Sequence, residues 1–264
     1  MKARQWLQQS AMTATDAVAA SMPRPVPSVE RLRDCKIIAH RGEHDNAAVV
    51  ENTLAAFELA RANGVWGIEC DVRWTADLVP VICHDPDGER LHGCPEGIHT
   101  MDFSVLRQRM PAIPSLAEVV AEFGGNTHLM LEVKAAPFPE DAVKSRILAD
   151  HLAGLVPGRD YHVLLLAPEL LAAVAFLPPR FCYLVAELNT GSLSRAALEL
   201  GCGGLAGHYL LMGRRLMDRH REAGQGVGTG FVASRHCLYR EINRGVDWIF
   251  SNDAVRLQQI CNRP

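Results

Sequence analysis

KIIAHRGEHDNAAVVENTLAAFELARANGVWGIECDV, residues 36–72, reads as a strand, a helix and a second strand. KIIAH (36–40) and WGIECDV (66–72) are short apolar runs that end in charged or titratable groups. The alanine- and leucine-rich 53–63 between them is a good helix former. Strand, helix, strand in this order implies a parallel βαβ unit. The rhythm continues with strand candidates at 79–83, 128–133, 161–166, 181–186, 203–207, 226–232 and 246–250. Helix candidates fall at 115–123, 139–153, 169–176, 193–200, 213–223, 235–244 and 253–261. Several strands are apolar on both faces, as buried parallel strands are. About eight such repeats predict a closed (β/α)₈ TIM barrel over residues 35–264. An open doubly wound sheet is the alternative, but no glycine-rich phosphate loop follows the first strand.

Two departures from the rhythm are visible. Strands 66–72 and 79–83 are joined by only Arg73 to Leu78, too short for a helix, so they form either a hairpin or consecutive barrel strands. Residues 85–112 then make a long segment with glycine and proline, read as a short insertion after the third strand. Upstream, Leu7, Ala11, Ala14 and Val18 stand at helical spacing, and three prolines at 23–27 break the pattern. Residues 1–34 are therefore an N-terminal extension, a covering helix plus linker that closes the bottom of the barrel. A peripheral membrane contact through the same segment is the other reading.

Composition narrows the class. The 264 residues carry 27 basic and 30 acidic side chains, a net charge of −3, which gives no reason to expect nucleic acid. With 48% apolar and 22% charged residues, a sizeable core is available and wholesale disorder is excluded. No uncharged apolar run approaches the ~20 residues of a membrane-spanning helix. The cysteines, at 35, 70, 83, 94, 182, 202, 237 and 261, are scattered without a CxxC pair. They read as reduced thiols, and the chain as cytoplasmic. The N-terminus lacks the uninterrupted apolar core of a secretory signal.

Function is read from what ends the strands. KIIA runs into His40 and Arg41, WGI into Glu69 and Asp71, PVIC into His84 and Asp85, and LML into Glu132 and Lys134. In a parallel barrel these C-terminal ends converge on one mouth, where active sites sit. Glu69 and Asp71 stand two apart on a strand, so both carboxylates face one side. Three carboxylates in one mouth repel one another unless protonated or bound to a cation. All-oxygen ligands select a hard ion, Mg²⁺ or Ca²⁺. The bland alternative is a set of strand-end salt bridges to Arg41 or Lys134; agreement among four strand ends weighs against it. His40 and His84 suit a general acid and base. Arg41 and Lys134 add fixed positive charge, suited to phosphate. Glu51 is open to three roles: metal ligand, partner of a backbone N–H, or support for His40. Asn52 and Thr53, ahead of LAAFELA, read first as helix caps. His208 is a candidate lining residue, and the remaining histidines default to surface or loop.

These residues together resemble the glycerophosphodiester phosphodiesterase family. His40–Arg41–Gly42, Glu51–Asn52–Thr53, Glu69–Cys70–Asp71 and the run from Thr75 to Asp85 follow its motifs in order, and IPSLAEVV (113–120) and LEVK (131–134) continue the likeness. The resemblance implies a TIM barrel that hydrolyses a small-molecule glycerophosphodiester to sn-glycerol 3-phosphate and an alcohol, in glycerol and lipid metabolism. It assigns one divalent cation to Glu69, Asp71 and Glu132, acid–base chemistry to His40 and His84, with His84 preferred as the acid, and phosphate contact to Arg41 and Lys134. The second half of the chain departs from the pattern. GVGTGFV (226–232) lacks the usual tryptophan, and LLLAPELL (164–171) lacks the usual serine–phenylalanine. Lysophospholipid hydrolysis, a sphingomyelinase D-like phospholipase and a non-catalytic phosphate-binding barrel are the competing readings.

Overall fold

The structure, a computed structural model, describes residues 18–137 and 141–263. The first strand, β1 (Ile37–His40), pairs in parallel with both β2 (Gly67–Trp74) and β11 (Trp248–Ser251). Between β2 and β11 the sheet runs through β6 (His128–Val133), β7 (Tyr161–Leu165), β8 (Cys182–Ala186), β9 (Gly204–His208) and β10 (Gly226–Gly230). Every pair in this ring is parallel, so the sheet closes into the expected barrel of eight strands.

The strand at 79–83 is not one of the eight. β3 (Pro80–Ile82) runs antiparallel to the end of β2, so the short connection is a hairpin. The Thr75 hydroxyl donates to Asp77 Oδ1 at 2.6 Å and accepts from the Val79 N–H at 2.9 Å, which fixes the turn. The insertion therefore lies between the second and third barrel strands. It contains β4 (Asp87–Gly88), β5 (Cys94–Gly97) and two helices, Glu89–His92 and Phe103–Arg109. Val81, Cys94, Ile98, Leu106, Met110 and Ile113 give it a small core of its own.

In chain order the helices are α1 (Val29–Arg33), α2 (Leu54–Ala62), α3 (Glu89–His92), α4 (Phe103–Arg109), α5 (Leu116–Phe123) and α6 (Asp141–Leu152), followed by α7 (Thr190–Glu199), α8 (Arg214–Glu222), α9 (Arg235–Arg244) and α10 (Ala254–Asn262). IPSLAEVV owes its shape to a capping box, Ser115 and Glu118 satisfying each other's backbone N–H at the start of α5. The predicted helix 169–176 is instead a 3₁₀ segment, Pro168–Val174. The predicted amphipathic stripe begins outside the described residues. Of the extension, α1 buries Leu32 and lies against α9 and α10, where Arg31 donates to the Asn243 carbonyl at 3.3 Å. It packs on the outer helical layer.

Side chains of the barrel strands follow the strand period of two. On β6, Leu129, Leu131 and Val133 join the core under the helices, while Met130 joins the barrel interior with Ile38, Leu164, Tyr183, Ala206, Trp248 and Phe250. Below this layer His128 stacks on Trp66 and contacts His162, which meets Tyr183 and Trp248 edge-on or tilted. Above it, on the same inward face, stand Glu132 and Glu69. The alternation that fills the lower barrel thus delivers carboxylates to the upper mouth.

Candidate active site

β1 and β2 pair with His40 beside Glu69, and β2 and β6 with Asp71 beside Glu132. Each of the three carboxylates offers an oxygen within 4.8 Å of the others, and all three residues are buried. Lys134 Nζ lies on Asp71 Oδ1 at 2.7 Å and contacts Glu132 Oε1. Asn52 Nδ2 donates to Asp71 Oδ2 at 2.7 Å. The Arg41 backbone N–H donates to Glu69 Oε2 at 2.9 Å. Burial, with Asp71 and Glu132 alongside, pushes Glu69 well above the usual carboxylate range. Burial also raises Glu132, against the pull of Lys134. Asp71 is buried too, yet Lys134 and Arg41 hold it below its ordinary value. Burial works against the Lys134 ammonium, but Asp71 and Glu132 raise it overall.

A resident cation would be held by Glu69, Asp71 and Glu132. Glu69 Oε1 is buried with no hydrogen-bond partner among the described residues, a costly state for a carboxylate oxygen. A hard cation satisfies that oxygen and removes the repulsion that raises Glu69 and Glu132, so the donor set fits Mg²⁺ or Ca²⁺.

The two histidines flank this cluster. His40 Nδ1 lies 2.6 Å from Asn252 Oδ1, and its Nε2 is 3.8 Å from Glu69 Oε2. Burial, with Arg41 next to it, lowers His40 to about 4. His84 donates from Nδ1 to Asp85 Oδ1 at 2.8 Å, and its backbone carbonyl accepts from Arg73 at 2.6 and 2.8 Å. Burial lowers its pKa as well, with Asp71 opposing. Both line a cavity of about 850 Å³ together with Arg41, Glu69, Glu132 and Lys134. His208 lines it too, stacked between Tyr209 and Phe231 with ring centroids 4.9 and 5.5 Å away.

Three sequence readings need correction. Glu51 is not in the carboxylate cluster and does not touch His40. It accepts from Arg41 Nη1 at 2.9 Å, Asn46 Nδ2 at 2.7 Å and Arg90 Nη2 at 2.6 Å. Burial opposes its charge, but Arg90, Asn46 and Arg41 bring its pKa down to about 2. Of the two proposed helix caps only Thr53 caps α2, its hydroxyl accepting from the Ala56 N–H, while Asn52 braces Asp71. The histidines assigned to surface or loop include three that are buried in structural contacts: His128, His162 and His220. His220 joins α8 to α7 through the Ser194 hydroxyl at 2.9 Å. Residues that the strand-end reading did not single out are Asn252, Arg73 and Arg90. Asn252 does stand directly after the last strand, so the strand-end rule could have found it.

The chain is thus a closed parallel (β/α)₈ barrel that gathers three buried carboxylates, two histidines, an arginine and a lysine at one mouth. The chain matches the Glycerophosphoryl diester phosphodiesterase family over residues 40–254 and belongs to it. Human glycerophosphodiester phosphodiesterase 1 is 35% identical over 130 residues, 42% of this chain and 39% of the human protein. A probable glycerophosphodiester phosphodiesterase 1 from Mycobacterium tuberculosis is 42% identical over 72 residues, 27% of this chain and 26% of that protein. The matched stretch thus spans about two fifths of the human relative's length and about a quarter of the bacterial one's. Its fold is that of a crystal structure of a glycerophosphodiester phosphodiesterase from Parabacteroides distasonis (TM-score 0.72, 22% identity, 87% of this chain and 97% of that one). It is also that of an Oleispira antarctica phosphodiesterase solved with the product sn-glycerol-3-phosphate (TM-score 0.71, 24% identity, 86% and 96%).

Proposed function

We propose that this chain is a metal-dependent phosphodiesterase that hydrolyses a glycerophosphodiester to sn-glycerol 3-phosphate and an alcohol. The observation that carries the reading is the convergence of Glu69, Asp71 and Glu132 within 4.8 Å, in a mouth that also holds His40, His84, Arg41 and Lys134. Bound there, Mg²⁺ or Ca²⁺ supplies a Lewis acid that polarises a phosphoryl oxygen. Arg41 and Lys134 offset the charge that develops on the phosphate. The Asn252 oxygen next to His40 Nδ1 fixes the proton on that nitrogen and leaves Nε2 as an acceptor. A ring held neutral, at about 4, serves as the base that takes the proton of the attacking hydroxyl or water. His84 keeps its Nδ1 proton on Asp85, whose charge stabilises an imidazolium, so His84 donates to the departing alkoxide. The Oleispira antarctica phosphodiesterase of like fold, solved with sn-glycerol-3-phosphate, supports glycerol phosphate as the retained half. The eight free thiols support a reducing compartment, the cytoplasm.

The test is a mass-spectrometric screen of glycerophosphodiesters with the purified chain. His40→Ala and His84→Ala should each lower turnover by ~10²–10⁴-fold with unchanged thermal unfolding. Near-wild-type turnover in either variant ends the acid–base assignment.

One observation favours a second substrate reading. Away from the carboxylates the cavity is walled by Leu164, Leu166, Val185, Leu188, Phe231 and Phe250. Leu188 and Phe231 are exposed, Phe231 at 51% with φ of +64°. Such a wall suits an alcohol or acyl substituent with a hydrocarbon chain, as in a lysophospholipid. Including monoacylated substrates in the screen separates the two readings.

A further inference from the structure

One charged side chain at the mouth takes no part in this mechanism. Arg90 sits on α3, in the insertion. Its Nε meets Asp85 Oδ2 at 2.6 Å, while Nη2 and Nη1 meet the two Glu51 oxygens at 2.6 and 3.3 Å. Asp85 uses its other oxygen to hold His84, and Glu51 holds Arg41. The result is a continuous chain of charge-assisted bonds, His84–Asp85–Arg90–Glu51–Arg41, that runs from one proton-transfer group to a phosphate-binding group. A planar guanidinium with donors on separate edges can hold two carboxylates at once in fixed geometry, which an ammonium cannot.

The bland account is that Arg90 only fastens the insertion to the barrel. Its side chain is 44% exposed, and exposed ion pairs contribute little to stability. Two features go beyond fastening. Glu51 is buried, so the pair is not an ordinary surface pair. Asp85, the carboxylate that Arg90 grips, bonds directly to the ring nitrogen of His84 opposite the one available to substrate.

We propose that Arg90 is a positioning residue for the reaction: by clamping Asp85 against Glu51, it sets the orientation and proton affinity of His84 and aligns it with Arg41. The proposal rests on the reading of His84 as a proton-transfer group. The groups facing His84 are Asp85, Asp71, Arg41, Lys134 and His40, with Arg73 on its backbone carbonyl. Arg90 lies behind Asp85 and partly neutralises it, so removing the guanidinium strengthens the Asp85–His84 attraction and stabilises the imidazolium.

The experiment uses the full chain as wild type, Arg90→Gln, Arg90→Lys, Asp85→Asn and the Arg90→Gln/Asp85→Asn double variant. Two readouts are taken: kcat and KM across pH on a substrate from the screen, and the His84 titration followed by NMR of its ring. Arg90→Gln should lower kcat by roughly 10–100-fold with a smaller change in KM, since misplacing a reacting group costs on this scale. It should also move the His84 titration to higher pH. Arg90→Lys should recover part of kcat, and Arg90→Gln should add little in the Asp85→Asn background. An unmoved His84 titration with kcat within about 2-fold of wild type overturns the proposal, as does full additivity in the double variant. If the chain turns over no phosphodiester, the functional reading fails, and the NMR titration still decides whether Arg90 sets His84.

Discussion

Arg41 reaches the mouth with φ of +59° and Asn52 with φ of +56°. For an L residue that conformation costs roughly 1 kcal/mol or more. The contacts it permits offset the strain. From there Arg41 gives its N–H to Glu69 and its side chain to Glu51, and Asn52 gives its amide to Asp71. Gly42, at φ of +79°, follows because a Cβ there would lie 2.8 Å from Ala56 backbone and side-chain atoms. Gly42→Ala should therefore destabilise the fold by about 2 kcal/mol or more, read by urea unfolding. Asn52→Ala should leave the fold intact but leave Asp71 Oδ2 without its amide donor, with a loss of roughly 10–100-fold in metal affinity or metal-supported turnover. Calorimetric metal titration checks it; unchanged affinity would show that the Asn52 contact is only structural. At this scale the sequence was legible where charge ended an apolar run, as at His40, Glu69, Asp71 and Glu132. It was not legible for partners brought in from afar. Arg90 meets Glu51 across 39 positions and Asn252 meets His40 across 212. Nothing local to Arg90 distinguishes it from a surface polar group, and Asn252, though it directly follows the last strand, carries no mark of the side chain it meets.

Among the elements, β6 shows how one strand serves two ends of the barrel. His128 and Glu132 face inward on the same strand, one below and one above Met130. His128 donates from Nδ1 to the Arg159 carbonyl at 2.9 Å and so accepts at Nε2 from His162 Nδ1, also at 2.9 Å. Burial lowers His128 to about 4 and His162 to about 3. Both are therefore neutral in the folded state at pH values where the unfolded chain takes up protons. A folded pKa below the unfolded value of about 6.5 leaves stability untouched above that pH and erodes it as pH falls. At pH 5 the loss from His128 alone is about 2 kcal/mol. Chemical unfolding at pH 7 and pH 5 should show it, and His162→Phe should reduce the difference; equal stability at both values would contradict the neutral pair. The strand positions of these histidines were readable from sequence. Their burial was not, because strand, helix, strand order does not say which side chains from distant strands will stack. The small residues of β9 and β10 answer the same packing. A Cβ on Gly226 would fall 2.6 Å from Tyr183 Oη, and one on Gly228 would fall 3.0 Å from Phe250.

Over the whole molecule, the order of elements and the placing of charge at one pole were both contained in the first βαβ unit and its repeats, and the barrel closed as read. The hairpin at β3 was left open by sequence because a short apolar run carries no mark of its partner or direction; only the Thr75–Asp77 turn decides it. The apolar wall of the second half was visible only as missing family residues, since the wall is assembled from strands β7, β8, β10 and β11. Phe231→Ala should raise KM for a monoacylated substrate more than for a small glycerophosphodiester, measured by comparing the two on one preparation; equal effects would assign Phe231 to His40 packing, where its ring stands 5.6 Å from the imidazole.

Glu69, Asp71 and Glu132 are the residues that would hold the proposed ion. Mg²⁺ or Ca²⁺ titrated into the EDTA-stripped chain, with glycerol 3-phosphate release followed at each addition, tests that most directly. One equivalent should bind, release should rise with occupancy, and Glu69→Gln should weaken both together. Full release in excess EDTA, with no ion found by elemental analysis, would contradict the account.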